Sequence, residues 1–546
     1  MKNKLLTRLG ALVFVIALLV TGCGSTAGDD SNSSNTSNVS NTSTAGGSSD
    51  TVNSSNATII YGLGSTWDII MPFNVGQYYS FAVASKIYDQ LIYLDSNHEI
   101  QPKAAKSWEM EDEGKTIVFH LNENSKWHDG EPVTANDWVF TFNLIANPEV
   151  VSSTKTYLSP IEGIDGAGNV IDGEEVGVEA RDDYTLVVHL HNITYAEELL
   201  STTARFYWSV LPEHLLKDVK PADLMTDDFW SNPIGSGPYK FVSEVAGTEV
   251  TLETFDDYYL GSSKVKNLVY KVVDQSNMLT AMAAGEIDAT YPGITNDEAA
   301  SVDGLYDNIE VIVNSNETNF YGMSLKNDLF DAKVRKAINL AIDKKLMVDQ
   351  LAAGNGNVAY SIISQSSPYY NKNLPTERDV DTAKKLVEES GWDTSKKVNL
   401  AVPAGIREKE AVIIQQNLKE IGIDVDVSTV DAATMFAGAA DGTYDMIIFT
   451  TNNAWIPTFF KSSLDPEHAS AQRPTVDTYY NYFLEIQKEQ DESKRIEIAN
   501  EFQELLYEEN PIIPLFEEYT IDIRSTRSNN ITTLGTDAPW EWTVTE

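Results

Sequence analysis

Cysteine is nearly absent from this 546-residue chain: Cys23 stands alone, so no intramolecular disulfide can form and no cysteine-rich zinc site can be built. Positive charge is scarce as well. Lys and Arg number 39 against 81 Asp and Glu, a formal net charge of -42. That argues against nucleic acid, which proteins hold by neutralising phosphates with cations, and against adhesion to anionic lipid. A membrane-spanning run is missing too. The apolar stretch Leu9–Val20, broken only by Gly10, falls well short of the roughly 20 residues that a bilayer core of about 30 Å requires. The chain contains no nucleophile elbow, no HExxH and no phosphate loop, and no repeat of solenoid length. Trp127-His128-Asp129 and several Asp/Glu pairs could be read as a base or a hydrolase dyad. Such pairs arise by chance in a chain this acidic, so no catalysis and no cofactor are expected.

What is present begins with an address. Lys2, Lys4 and Arg8 precede the apolar run, the layout of a secretory signal peptide over residues 1–22. The run ends in Val20-Thr21-Gly22-Cys23, which looks like a bacterial lipobox: cleavage before Cys23, then attachment of lipid to its sulfur. From Gly24 to about Asn56 the chain is Ser, Asn, Thr and Gly with almost no large apolar side chain. It cannot bury enough surface to offset ordering entropy, so residues 23–56 read as a lipidated cysteine and a flexible tether with a reach of about 30 Å. A long tether suggests the outer face of a Gram-positive cytoplasmic membrane, with contact to the membrane through the anchor only.

The rest of the chain, long enough for two or three domains, alternates strand and helix patterns and so predicts an α/β architecture. Thr58–Tyr61, Lys115–Leu121, Tyr184–Leu190 and Val265–Val273 read as strands. Phe81–Leu94 has helical spacing, and Thr134 caps a helix that carries Trp138 and Phe142. Met278–Ala284 reads as a helix ended by Gly285. Val334–Met347 reads as a single amphipathic helix, with Asp331 and Arg335 at i,i+4 spacing. Ala411–Ile421 is a further helix, ended by Gly422 and followed by the strand Ile423–Val427. Ile486–Asn510 reads as mostly helical up to Pro511. Gly235 and Gly237 suit a tight turn into a strand.

Several motifs then fall in a characteristic order: Tyr88-Asp89-Gln90-Leu91, Pro102–Trp108, Asp112–Leu121, Trp127–Pro132, Thr134–Trp138, Pro233–Tyr239 (PIGSGPY), Gly285–Asp288, Phe330–Asp343, Ala383–Trp392 and Pro511–Leu515. In that order they resemble solute-binding protein family 5, the oligopeptide, dipeptide and nickel-chelate binding proteins of ABC importers, from about Tyr61 to the C-terminus. The resemblance implies a two-lobed, Venus-flytrap fold of the periplasmic-binding-protein type with an extra subdomain inserted in the first lobe. Lobe I would comprise 57–87, 195–325 and 514–546, the inserted subdomain 88–194, and lobe II 326–513. It further implies a monomer that encloses a small ligand by hinge bending and delivers it to ABC permease subunits with cytoplasmic ATPases.

By family position the ligand would meet four segments: Pro72–Tyr79 with Tyr78 and Tyr79; Tyr291-Pro292-Gly293; Asn319-Phe320-Tyr321; and Thr450–Phe460 with Asn452, Asn453 and Trp455. Arg205 and Trp208, in Thr202–Trp208, would line the cleft from the first lobe, with Arg205 able to clamp a carboxylate. Peptide-binding relatives carry an aspartate in the fourth segment for the peptide's α-ammonium, whereas here no carboxylate stands between Asp445 and Asp465. Peptide is the first expectation, and metal chelates, with His468 as a candidate metal ligand, blocked peptides and oligosaccharides stay open. So does a sensor or pheromone receptor on the same scaffold. His189 and His191 alternate on one strand face, without a third ligand in sight.

Overall fold

The computed structural model describes residues 57–74, 78–95, 97, 99–152, 154–201, 208–302, 304–326, 328–452, 472, 477–531 and 538–545. Strand β1 (Thr58–Leu63) leads to helix α1 (Tyr78–Ile87). Strands β2 (Ala105–Glu111) and β3 (Thr116–Leu121), helix α2 (Ala135–Ala146), β4 (Val178–Asp182) and β5 (Thr185–His189) follow. These four strands form a separate antiparallel sheet in the order β2–β3–β5–β4. Then come β6 (Tyr239–Val245), β7 (Glu249–Thr254), β8 (Asn267–Val272), α3 (Met278–Ala283), β9 (Ala289–Tyr291) and the long β10 (Ile309–Leu325).

Helices α4 (Ala332–Ala341) and α5 (Lys344–Leu351) precede β11 (Gly356–Val358), β12 (Lys397–Val402), α6 (Ile406–Glu420), β13 (Asp424–Thr429) and β14 (Met446–Asn452). Helices α7 (Asp477–Lys488) and α8 (Glu492–Glu509) lead into β15 (Ile512–Ser525). One large mixed sheet runs β13–β12–β14–β10–β15–β9–β1–β8–β7–β6, with β11 on β15. Its centre is the antiparallel pair β10–β15, whose register shifts between Asn314 and Thr318, a bulge that bends a strand.

This pair joins two groups of elements, each with its own apolar interior. The first buries Phe73, Tyr88, Trp127, Trp138 and Trp542. The second buries Val334, Leu400, Ile414, Ile448 and Leu515, with a neighbouring cluster of Phe320, Tyr479, Phe483 and Phe502. Full burial of each large apolar side chain contributes about 1.5–3 kcal/mol.

Three predicted helices end earlier or break, each for a visible reason. The helical spacing of 81–94 stops at Ile87, and Ile92–Leu94 is a strand. The Ile87 carbonyl accepts from Gly237 N at 2.8 Å, and a Cβ at Gly235 would stand 1.9 Å from that same oxygen. Gly235 and Gly237 thus admit the end of α1, which is why larger residues do not fit. The helix expected over 334–347 is α4 and α5, parted at Ile342–Asp343. Asp343 N donates to Asn417 Oδ1 at 2.8 Å, and its carboxylate caps Leu346 N at 3.0 Å. The run 486–510 is likewise two helices, α8 being capped by Asp491 at Lys494 N.

Asp331 and Arg335 do not pair. Asp331 caps Val334 N, while Arg335 donates to the Phe330 and Glu509 carbonyls, all at 2.8 Å. His128 is scaffold: Nδ1 accepts from Gly235 N at 3.2 Å and Nε2 faces Gly237 O at 3.0 Å. Burial holds its pKa down at about 4. His189 faces the Thr116 hydroxyl at 3.1 Å and His191 the Ile164 carbonyl at 2.8 Å.

Candidate functional site

Two of the four predicted segments meet where the parallel strands β1 and β9 end. Gly64 N donates to the Tyr291 carbonyl at 3.2 Å. Tyr79, from α1, sets its ring edge-on to Tyr291, with centroids 6.2 Å apart. A Cβ at Gly64 would lie 2.9 Å from the Tyr79 hydroxyl, so the glycine is what lets the Tyr79 side chain cross the strand end. The following Gly293 packs on β15, where a Cβ would stand 2.1 Å from the Ile521 carbonyl.

The other two segments are joined by strand register: Asn319 opposes Asn452 and Tyr321 opposes Thr450 across β10 and β14. Tyr321 stacks on Phe516 of β15 with centroids 4.4 Å apart, and its hydroxyl donates to Glu518 Oε2 at 2.7 Å. Asn296, from the first group of elements, donates to Glu518 Oε1 at 2.7 Å and accepts from Asn355 Nδ2 at 2.8 Å. From the second group, Arg407 at the start of α6 places its guanidinium 5.9 Å from the Tyr321 ring centre and donates to Thr450 Oγ1. One turn on, Glu410 is fully buried, and neither carboxyl oxygen has a hydrogen bond. Burial pushes its pKa up to about 8, Glu518 pushing the same way and Arg407 opposing. It therefore keeps its proton at neutral pH.

On the opposite face of β15, Glu517 is also buried. Its pKa is raised to about 7 by burial, against hydrogen bonds from Ser364, Asn357 and the Gln365 backbone. Aromatic faces, amides, a guanidinium and carboxyl groups thus gather along the β10–β15 crossing, a set that suits a polar ligand with apolar side chains.

Tyr79 and Tyr291 are therefore brought together, and Tyr321 sits beside the strand that carries Asn452. Trp208 is a correction: it has no exposed surface. It packs edge-on to Phe142 at 5.4 Å and donates Nε1–H to the Tyr157 carbonyl. It is a core residue of the first group, because its whole surface is spent on packing. Cys23, Arg205, Asn453, Trp455 and His468 lie outside the described residues, as do the side chains of Tyr78 and Asn452. Among the described residues no group of three His, Cys, Asp or Glu could hold a metal ion, and no helix is long and apolar enough to cross a membrane.

Sequence reasoning missed Arg407, Glu410 and Glu518. Glu410 shares a helix face with Ile413, Ile414, Asn417 and Leu418, so a carboxylate on an apolar stripe was the available signal. Glu517-Glu518 in the middle of the apolar strand IIPLFEEYTIDI was the other.

Residues 99–469 match the family model described as bacterial extracellular solute-binding proteins, family 5 Middle. The oligopeptide-binding protein AppA of Bacillus subtilis is 27% identical over 409 residues, 71% of each chain. Among solved structures, the ABC transporter substrate-binding protein CtaP of Listeria monocytogenes aligns with a TM-score of 0.77 at 24% identity, over 90% of this chain and 100% of that one. AppA in complex with a nonapeptide aligns with a TM-score of 0.69 at 20% identity, over 90% and 99%. The expected two-lobed α/β fold is thus the fold of this chain, with β10 and β15 running between the lobes.

Proposed function

Because the chain belongs to family 5 of the bacterial extracellular solute-binding proteins, we propose that it is the substrate-binding lipoprotein of an ABC importer that captures peptides between its two lobes. The observation that carries this reading is the crossing itself. There Asn296 from one side, Arg407 and Glu410 from the other, and Tyr321 and Glu518 of the crossing strands converge. A ligand seated there touches both lobes at once, which is what lets binding favour the closed form. Ligand identity rests on the relative named for oligopeptide binding. In this reading the chain binds without turning over its ligand, acts as a monomer, hangs from the outer face of the membrane by Cys23, and passes the ligand to permease subunits driven by cytoplasmic ATPases.

A second reading stays in view, because the segment between Asp445 and Asp465 has no carboxylate: blocked peptides, a metal chelate or an oligosaccharide. A thermal-shift panel separates the two. It would hold di- to octapeptides, their N-acetylated forms, nickel with and without free histidine, and oligosaccharides. A ligand at 100 times its Kd stabilises by about 2.7 kcal/mol. Shifts with peptides support the proposal. Shifts only with nickel–histidine or sugars overturn the peptide assignment while keeping the importer.

A further inference from the structure

Away from the β10–β15 crossing, the two lobes touch a second time. The end of α7 and the turn before α8 lie against Gly114 and Thr194–Tyr195. Tyr195 N donates to the Gln487 carbonyl at 2.9 Å, and Gln490 Nε2 donates to the Thr194 carbonyl at 3.3 Å. Gly114, at φ 96°, holds a backbone conformation that other residues rarely adopt, and a Cβ there would press on Gln490 Nε2 at 3.0 Å.

Under this contact lies Arg495 of α8, 1% exposed. Its guanidinium carbon is 3.0 Å from the centre of the Tyr195 ring and 5.2 Å from that of Tyr369. None of its three guanidinium nitrogens completes a hydrogen bond, and no carboxylate of the described residues stands within ion-pair distance. Burial raises the pKa of both tyrosine hydroxyls and Glu197, beside the Tyr195 hydroxyl, raises them further, while Arg495 lowers both through its charge and a loose approach to the hydroxyls that falls short of hydrogen-bond geometry.

A guanidinium cannot shed its charge. Burying one without an anion is expensive, and stacking on tyrosine returns only about 0.5–2 kcal/mol. Arg495 and Tyr369 belong to the second lobe, where Ile496, Ala499 and Tyr369 share one apolar cluster. Tyr195 precedes Ala196 and Leu199, which pack into the first lobe. Parting the lobes therefore lifts the Tyr195 ring off the cation and lets water reach it.

We propose that Arg495 is a built-in counterweight to closure: bringing the lobes together strips water from a cation that receives no direct ion pair in return, so that the closed form depends on ligand contacts. This rests on the solute-capture reading, in which the lobes part and close. The counterweight makes ligand release easy, which an importer needs.

The test uses the full chain in a Cys23→Ala background, where Glu179→Cys and Lys384→Cys, both exposed and one on each lobe, carry a fluorescent donor and acceptor. Arg495→Met removes the charge and keeps the length. Without ligand its energy transfer shifts toward the closed value, and a nonapeptide binds about 10-fold tighter through slower release, as expected when the binding-competent fraction rises tenfold. Tyr195→Glu leaves the second lobe's core untouched and supplies an anion opposite Arg495 only when the lobes meet. It shifts the apo protein the same way, and does so no longer once Arg495 is Met.

Apo transfer unchanged or moved toward the open value in both variants overturns the proposal and makes Arg495 a latch or a bystander. A loss of binding by Arg495→Met confined to peptides with a free C-terminal carboxylate, against their amides, also overturns it, by making Arg495 the ligand's own partner. A wild-type protein that binds no peptide refutes the proposed function instead, while the apo transfer still decides the counterweight.

Discussion

The lobes meet in two places that are built in opposite ways. At the β10–β15 crossing, the two oxygens of Glu518 are taken by Tyr321 and Asn296 and Asn355 completes the chain, and the one buried acid left without a hydrogen bond beside them, Glu410, is kept neutral. At the outer contact, a buried guanidinium faces aromatic rings with no hydrogen bond. A satisfied network fixes one arrangement of the backbone, whereas an unsatisfied one disfavours the arrangement that buries it. On the proposed reading the crossing is the fixed pivot and the outer contact is the part that opens.

The comparison can be broken most severely from outside both contacts. Trp208→Ala should lower stability by about 3–5 kcal/mol, read as a large fall in melting temperature without ligand. A normal melting temperature with lost binding would return Trp208 to the cleft wall. Next in size, Glu518→Ala should cost about 1–3 kcal/mol, because it leaves the Tyr321 hydroxyl and the Asn296 amide without their acceptor, and should weaken peptide binding as well. An unaffected melting curve would show that the crossing is not pinned by this network.

A smaller effect sharpens the electrostatics of the pivot. The Glu410 pKa is raised from 4.5 to about 8 in the fold, so the native state holds a proton that the unfolded chain loses between those values. Stability then falls as pH rises from about 4.5 to 8 and levels off above it. Glu410→Gln should flatten this slope and melt higher than the wild type at pH 8 to 9. Equal slopes in denaturant titrations would refute the buried neutral acid. His128 gives the smallest effect, with the opposite sign. Its pKa is lowered from 6.5 to about 4, so stability is lost as pH falls from 6.5 toward 4, and His128→Gln should remove that loss.

Much of this was legible in the sequence. Strand alternation placed β1, β3, β5 and β8 within one or two residues, and the ordered motifs pointed to the two-lobed fold. What was not legible depended on partners distant in sequence. Nothing within Phe81–Leu94 indicates that Gly235 and Gly237 will receive the end of α1. The break at Ile342 had a local sign in Asp343, a helix cap inside an apolar pattern, but the amide it meets belongs to Asn417. Aromatic residues were the weakest guide. Tyr291, Tyr321 and Trp208 are all buried, and it is place that separates them: Trp208 packs on Phe142 inside the first lobe, whereas Tyr291 meets Tyr79 at the end of β9 and Tyr321 lies on the β10–β15 crossing. The site's charged members were hidden because a carboxylate on an apolar face, such as Glu410, reads as an irregularity until its neighbours are known.

Hydrogen exchange of the protein with and without a saturating oligopeptide tests the central claim most directly. Capture between the lobes predicts new protection in Asn319–Tyr321 and Glu517–Tyr519 together with Thr194–Tyr195 and the turn before α8, since closure brings the outer contact together when the crossing is filled. Protection limited to one lobe, or none at a peptide concentration that shifts the melting temperature, would contradict it.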